Sequence, residues 1–305
     1  MQKLDQFFEA GSILRNAEFA TLGYADARPL GTLAFSDGIK YVRQACQNPA
    51  ISCIITTQEL ASFTEGIAGV AICKDPREAF YKLHERWVAE KRYQLPITPH
   101  RGVNCRIHPS AIVADGCWIG DHVVIGENVV IRQQARIGSH VIMEPGARIA
   151  MEGILYHRTP DGPRMIPHGG YVEIEDHAVL MSGSTVVRSI HDTDVTRVGH
   201  ASIIGLNSVV GHEAKVGDHV VVSNQCVLAR RCVIGKGAFI GTGSFVREHV
   251  KIGEHAQVMA GSIVITNVAD HASVSGNFTT EHQPRMLHFA KKLRDARTPS
   301  DGLNA

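Results

Sequence analysis

Val198-Gly199-His200-Ala201-Ser202-Ile203-Ile204-Gly205-Leu206-Asn207-Ser208-Val209-Val210-Gly211-His212-Glu213-Ala214-Lys215-Val216-Gly217 places an aliphatic residue at every sixth position, each followed by Gly. The beat continues without a slip through Val222, Leu228, Ile234, Ile240, Val246, Ile252, Val258 and Val264. Upstream it runs through Ile107, Val113, Ile119, Ile125, Ile131, Ile137, Met143 and Ile149, then returns as Ile174, Leu180 and Val186. A period of six fits neither the helix nor, by itself, the two-residue alternation of a strand. It is the pattern of a hexapeptide β-helix, with one short strand and one corner per hexad. The aliphatic residue points into a prism, the small residue beside it lets the chain turn, and stacked coils bury a column that one repeat could not.

The expected fold class is mainly β: a left-handed parallel β-helix of hexapeptide repeats, with a small N-terminal α/β domain and a C-terminal helix. Residues 1–99 form the α/β domain. Ile51–Ile55 and Gly69–Cys73 read as buried strands, and Pro76–Val88 as an amphipathic helix with Pro in its first turn. Residues 100–275 form the β-helix. Residues 276–305 hold a basic amphipathic helix over Pro284–Arg294 and a tail. Two pauses, 152–171 and 189–196, break the period with polar residues, Gly and Pro, and are expected to project as loops from one face.

Composition excludes several classes. A net charge of +1 gives no global field for nucleic acid or an anionic membrane. No apolar run is long enough to span a bilayer, so membrane contact is at most peripheral. Seven cysteines without a C-x-x-C pair argue against a disulfide framework or zinc ribbon and for a reducing, cytoplasmic setting.

The coil register sorts the histidines. His122, His140, His177, His219, His249 and His255 lie three residues after the aliphatic position, where a turn residue faces solvent. His212 lies two after Val210, an offset shared only by His200 among the regular hexads. Arg230 is one coil above His212, and Glu248 and His249 are two above. Acyl transfer from a thioester needs a base near neutral pKa and a donor for the developing oxyanion. His212 and the backbone N–H of Arg230 have the spacing for those roles, although register alone leaves a surface histidine as the other reading. His212, His249 and His255 do not match the spacing of a three-histidine zinc set, so no metal is expected.

Lys74-Asp75-Pro76-Arg77-Glu78-Ala79-Phe80, Gly153-Ile154-Leu155-Tyr156 with Ile166-Pro167, and Val210-Gly211-His212-Glu213 resemble segments of the UDP-3-O-acylglucosamine N-acyltransferases of lipid A biosynthesis. The resemblance follows the order of the whole chain. It implies a homotrimer that moves a 3-hydroxyacyl group from acyl carrier protein to the amine of a UDP-amino sugar. It places His212 as the base, at the family's distance from the substrate-binding Arg188, with His249 as a second active-site histidine. It also implies stacking of the nucleotide base between Phe35 and Tyr41. The asparagine that reads the base in that family is Gly38 here, with Asp37 beside it as the possible substitute. The family's acidic residue seven positions before the catalytic histidine is Gly205. No permanently bound cofactor is implied; the co-substrate is an acyl thioester of phosphopantetheine, on acyl carrier protein or coenzyme A. An acetyl-coenzyme A-dependent N-acetyltransferase of a nucleotide-linked amino sugar is the alternative enzyme, and a non-catalytic hexapeptide scaffold the alternative of another class.

Overall fold

Most hexads form a two-residue strand ending on the aliphatic residue, as in Val209–Val210 and Val227–Leu228, and a few next to the insertions run to three or four residues. In this computed structural model, which describes residues 1–276 apart from 94 and 96, the strands gather into three sheets of eight, eight and nine. Within each sheet the pairing is parallel, one coil to the next: Val186 with Val210, Val210 with Leu228, Leu228 with Val246. The aliphatic column is buried from Ile119 to Val264. Ala214, Val220, Cys226, Cys232, Ala238 and Ala256 fill the second inward position. The cysteines there serve as small apolar residues, and burial pushes the Cys232 thiol up to about 12. The helix expected over Pro284–Arg294 lies outside the described residues.

The residue three after the aliphatic one turns the corner with left-handed backbone, at φ 58° for His122 and His140 and 61° for His177. The rings of these three histidines stack at 4.8 Å spacing along one edge. Glu213 (φ 63°) and His249 (φ 61°) occupy the same turn position at another corner.

Before the coils, a five-stranded sheet runs in the spatial order Ile13–Arg15, Gly69–Ile72, Ile51–Thr56, Thr32–Phe35, Thr21–Leu22. Only the Ile13–Arg15 pairing is antiparallel. Helix α1 (Ile39–Gln47) follows Phe35, and α2 (Pro76–Ala89) follows the Gly69–Ile72 strand. Asp75 caps α2 by accepting from the Glu78 amide at 2.8 Å, and Pro76 occupies the first turn.

The two pauses in the repeat do not project freely. In the first, Tyr156–Thr159 and Gly162–Met165 form an antiparallel hairpin. Arg164 on it meets Glu78 at 2.7 Å and Glu85 at 3.1 Å, both on α2. In the second, Asp192 accepts from Thr21 at 2.5 Å, and His191 is buried among Tyr24, Phe80, His84 and Tyr93. The first insertion therefore clamps α2, and the second the N-terminal sheet, to the β-helix. Their inward side chains are aromatic, imidazole or ion-paired, and they gain more from that contact than from water. No helix among the described residues is long and apolar enough to cross a membrane.

Candidate active site

The corner that follows Val186, Val210, Leu228 and Val246 stacks Arg188, His212, Arg230 and Glu248 in one column. The next column holds Glu213, Arg231 and His249, tied by the Arg231 amide to the His212 carbonyl (3.0 Å) and the His249 amide to the Arg230 carbonyl (3.2 Å). The insertions and the N-terminal sheet close over this corner. A Cβ on Gly153 would lie 2.8 Å from Val187 Cγ1, closer than a side chain tolerates, so glycine lets the first insertion pass beside the corner, 3.7 Å from the His212 ring.

His212 is 6% exposed. Its Nδ1 faces Glu213 Oε2 at 3.9 Å, an ion-pair distance longer than a hydrogen bond, and its ring meets His168 edge to face at 5.4 Å. Glu213 is 3% exposed. Its amide donates to Thr196 Oγ1 at 2.7 Å, its Oε1 accepts from the Ile190 amide at 3.3 Å, and Arg231 Nε lies 3.3 Å from Oε2. Burial pushes this carboxyl up, but His212 and Arg231 pull it down further, to about 2. The corner thus holds a carboxylate, ionised at neutral pH, against a histidine.

The Arg230 amide donates to no acceptor among the described residues. At some corners a side chain one coil on caps the equivalent amide, as Asn224 Oδ1 caps Leu206 at 3.0 Å and Asp270 Oδ1 caps Glu254 at 2.8 Å. The Arg230 amide, like those of His212 and Asp218, has no such cap among the described residues. An uncapped N–H one coil from an imidazole is free to meet a developing negative charge.

Beside this corner opens a cleft of about 500 Å³. Phe35, Asp37, Tyr41, Arg230 and His249 all line it, together with Tyr24, Asp26, Arg77, Tyr81 and Arg231. The structure therefore brings five of the seven sequence-derived site residues to one wall. Phe35 ends its strand and packs 4.8 Å from Phe80; Tyr41 stands on the first turn of α1, half exposed. Asp37 is ion-paired to Arg77 at 3.0 Å. Burial lowers His249, and Arg231 and Arg230 beside it lower it further. His212 and Arg188 are not on this wall. Arg188 donates to Glu152 at 2.6 Å and Gln134 at 2.8 Å. A second cleft of about 220 Å³ shares Tyr24, Asp26, Arg231 and His249 and reaches Glu213. The Asp26–Arg231 ion pair (2.9 Å) stands on the wall common to both.

Glu213, Arg231, Asp26 and the buried histidines 84, 168 and 191 were not singled out by sequence. Glu213 sits at the offset that faces solvent in other coils; it is buried here because the 189–196 insertion covers it. Its position directly after His212 was the available signal. His168 is buried with no hydrogen-bond partner for either nitrogen among the described residues. Burial, with His212 and Arg188 nearby, lowers it to about 3.

Residues 102–133 match the bacterial transferase hexapeptide family (six repeats). A UDP-3-O-acylglucosamine N-acyltransferase of Anaeromyxobacter dehalogenans strain 2CP-1 is 33% identical over 109 residues, 34% of this chain and 30% of that protein. The protein of the same name from Azorhizobium caulinodans is 26% identical over 222 residues, 59% of this chain and 62% of that one. The match thus spans about a third of the length of the first of these relatives. Among solved structures, a UDP-N-acetylglucosamine acyltransferase from Bacteroides fragilis superposes with a TM-score of 0.50 at 22% identity, over 58% of this chain and 67% of that one, a likeness of fold. The chain is a hexapeptide-repeat protein of left-handed β-helix fold, similar over part of its length to the UDP-3-O-acylglucosamine N-acyltransferases.

Proposed function

We propose that this chain is an N-acyltransferase that moves an acyl group from a phosphopantetheine thioester to the amine of a nucleotide-linked amino sugar, in lipid A or lipopolysaccharide synthesis. The observation that carries the reading is the corner where His212, held against the ionised Glu213, lies one coil from the uncapped Arg230 amide. Relatives named for this chemistry support it.

With Nδ1 turned to Glu213, the Nε2 atom of His212 is the one available as base. It takes a proton from the sugar amine as the nitrogen bonds to the thioester carbonyl carbon. The carbonyl oxygen, now negative, is met by the Arg230 N–H. Glu213 stabilises the imidazolium that forms. The C–S bond then breaks, the carbonyl reforms, and the thiolate leaves with the proton that His212 returns. His249 helps position substrate from the cleft wall. Phe35 and Tyr41 hold the nucleotide base, making residues 1–99 the nucleotide-binding domain and 100–275 the transferase domain.

A homotrimer fits the outer faces of the prism. One sheet exposes Val227, Phe245 and Ile263 outward and a second exposes Val221 and Phe239, while the third carries Arg197, Lys215 and Lys251 with Trp118 and Val233 as apolar exceptions. Two apolar faces on a three-sided prism suit burial against two neighbours in a closed ring. The acyl donor is carried by acyl carrier protein or coenzyme A, and the protein acts in the cytoplasm.

The test is a screen of nucleotide-linked amino sugars against 3-hydroxyacyl carrier protein and acetyl-coenzyme A. Donor-dependent formation of an amide on the sugar is expected. No transfer with any pair would support the scaffold reading instead.

A further inference from the structure

We propose that the aromatic cleft selects a guanine nucleotide, with Asp37 and Arg77 reading the edge of the base. This rests on the reading of that cleft as the nucleotide-sugar site. Its volume, about 500 Å³, is that of a small-ligand site. Phe35, Tyr41, Tyr24 and Tyr81 supply ring faces and edges. Lys40 and Arg230 on the same wall have no carboxylate within ion-pair distance among the described residues, which suits a diphosphate.

Few polar groups remain to recognise the base. Ser36 is 2% exposed, and its hydroxyl donates to the Gly38 carbonyl at 2.8 Å and accepts from the Gly38 amide at 3.2 Å. Gly38 has no side chain. Asp26 is held by Arg231. Gln44, one turn beyond Tyr41 on α1, is neutral and can pair with any base edge, so it does not discriminate. The hydroxyls of Tyr24, Tyr41 and Tyr81 are donor and acceptor at once and do not discriminate either. Asp37 and Arg77 are left, joined at 3.0 Å, with the Arg77 guanidinium 5.8 Å from the Phe35 ring.

Together this pair offers guanidinium donors followed by the two acceptor oxygens of a carboxylate. Guanine presents the complement in sequence: the O6 acceptor, then the N1–H and N2–H donors. Uracil and thymine present an acceptor, one donor and a second acceptor. Their O2 would face a carboxylate oxygen, lone pair against lone pair. Adenine and cytosine each satisfy only one carboxylate oxygen. A matched bidentate contact discriminates between bases by roughly tenfold or more.

The test is calorimetric measurement of GDP, ADP, CDP and UDP binding to the full chain and to its Asp37→Asn and Tyr41→Ala variants. GDP is expected to bind ~10-fold or more tighter than the other three. Asp37→Asn should bring the GDP to UDP ratio near one, since an amide offers one donor and one acceptor. Tyr41→Ala should weaken all four alike. UDP, ADP or CDP binding as tightly as GDP, or an unchanged ratio in Asp37→Asn, would overturn the guanine assignment and leave the nucleotide cleft standing. If no nucleotide binds, or Tyr41→Ala has no effect, the nucleotide-cleft reading falls and this inference falls with it.

Discussion

Three histidines behind the corner carry no charge in the folded chain. His84 donates from Nε2 to the Pro167 carbonyl at 2.7 Å and accepts from the Tyr93 hydroxyl at 2.5 Å, so its tautomer is fixed. Burial lowers it to about 4, lowers His168 to about 3, and sets His191 well below its ordinary value. The unfolded chain protonates all three below about pH 6.5, whereas the folded chain keeps each neutral until the pH falls to its lowered value. Stability therefore falls as pH drops from about 6.5, by up to about 1.4 kcal/mol per pH unit for each histidine. The loss levels off for His84 near pH 4 and for His168 near pH 3. Urea denaturation across pH 7 to 4 should show this decline, and a flat profile would contradict the neutral assignments. Sequence did not reveal these residues. His84 lies on a helix and His168 and His191 in the two insertions, and nothing local shows that they converge.

At the scale of elements, the hexads were legible because one requirement, a buried aliphatic every six residues, repeats without a slip from Val198 to Val264. The insertions were legible only as interruptions. What they do depends on contacts with the N-terminal domain, 86 residues away in sequence for Arg164 and Glu78 and 171 for Asp192 and Thr21, and no periodicity encodes that. Their crossing is tight: the Gly170 amide donates to the Ser189 carbonyl at 3.0 Å, and a Cβ on Gly170 would lie 2.4 Å from the His191 carbonyl and 2.0 Å from Ser189 Oγ. Gly170→Ala should therefore destabilise the protein by about 2 kcal/mol or more. Limited proteolysis should then cut first within the insertions, with the coils still protected. Unchanged melting and protection would mean that the clamp is looser than described. Helix α1 was also missed, although it carries Tyr41, because a nine-residue segment with two buried apolar positions gives little helical period.

For the whole molecule, the hexad rule also fixed which residues face outward, since the one before each buried aliphatic must point away. Phe239 and Phe245, about 40% exposed on adjacent faces, follow from it. If the proposed trimer forms through this face, Phe245→Glu should give monomer in sedimentation at micromolar concentration where the parent gives trimer, while the circular dichroism of the β-helix persists. An unaltered trimer would remove this face from the interface. The candidate site was less legible than the prism: register set His212 and Arg230 apart, the resemblance made His212 the expected base and supplied Phe35 and Tyr41, and the carboxylate against the histidine emerged only from the packed insertion. The central claim is that His212 is the base. The most direct measurement is single-turnover acyl transfer by His212→Gln, which keeps the ring's approximate volume, alongside its melting temperature. The account predicts a rate lower by ~10²- to 10⁴-fold with melting within a few degrees of the parent, whereas transfer at the parent rate would contradict it.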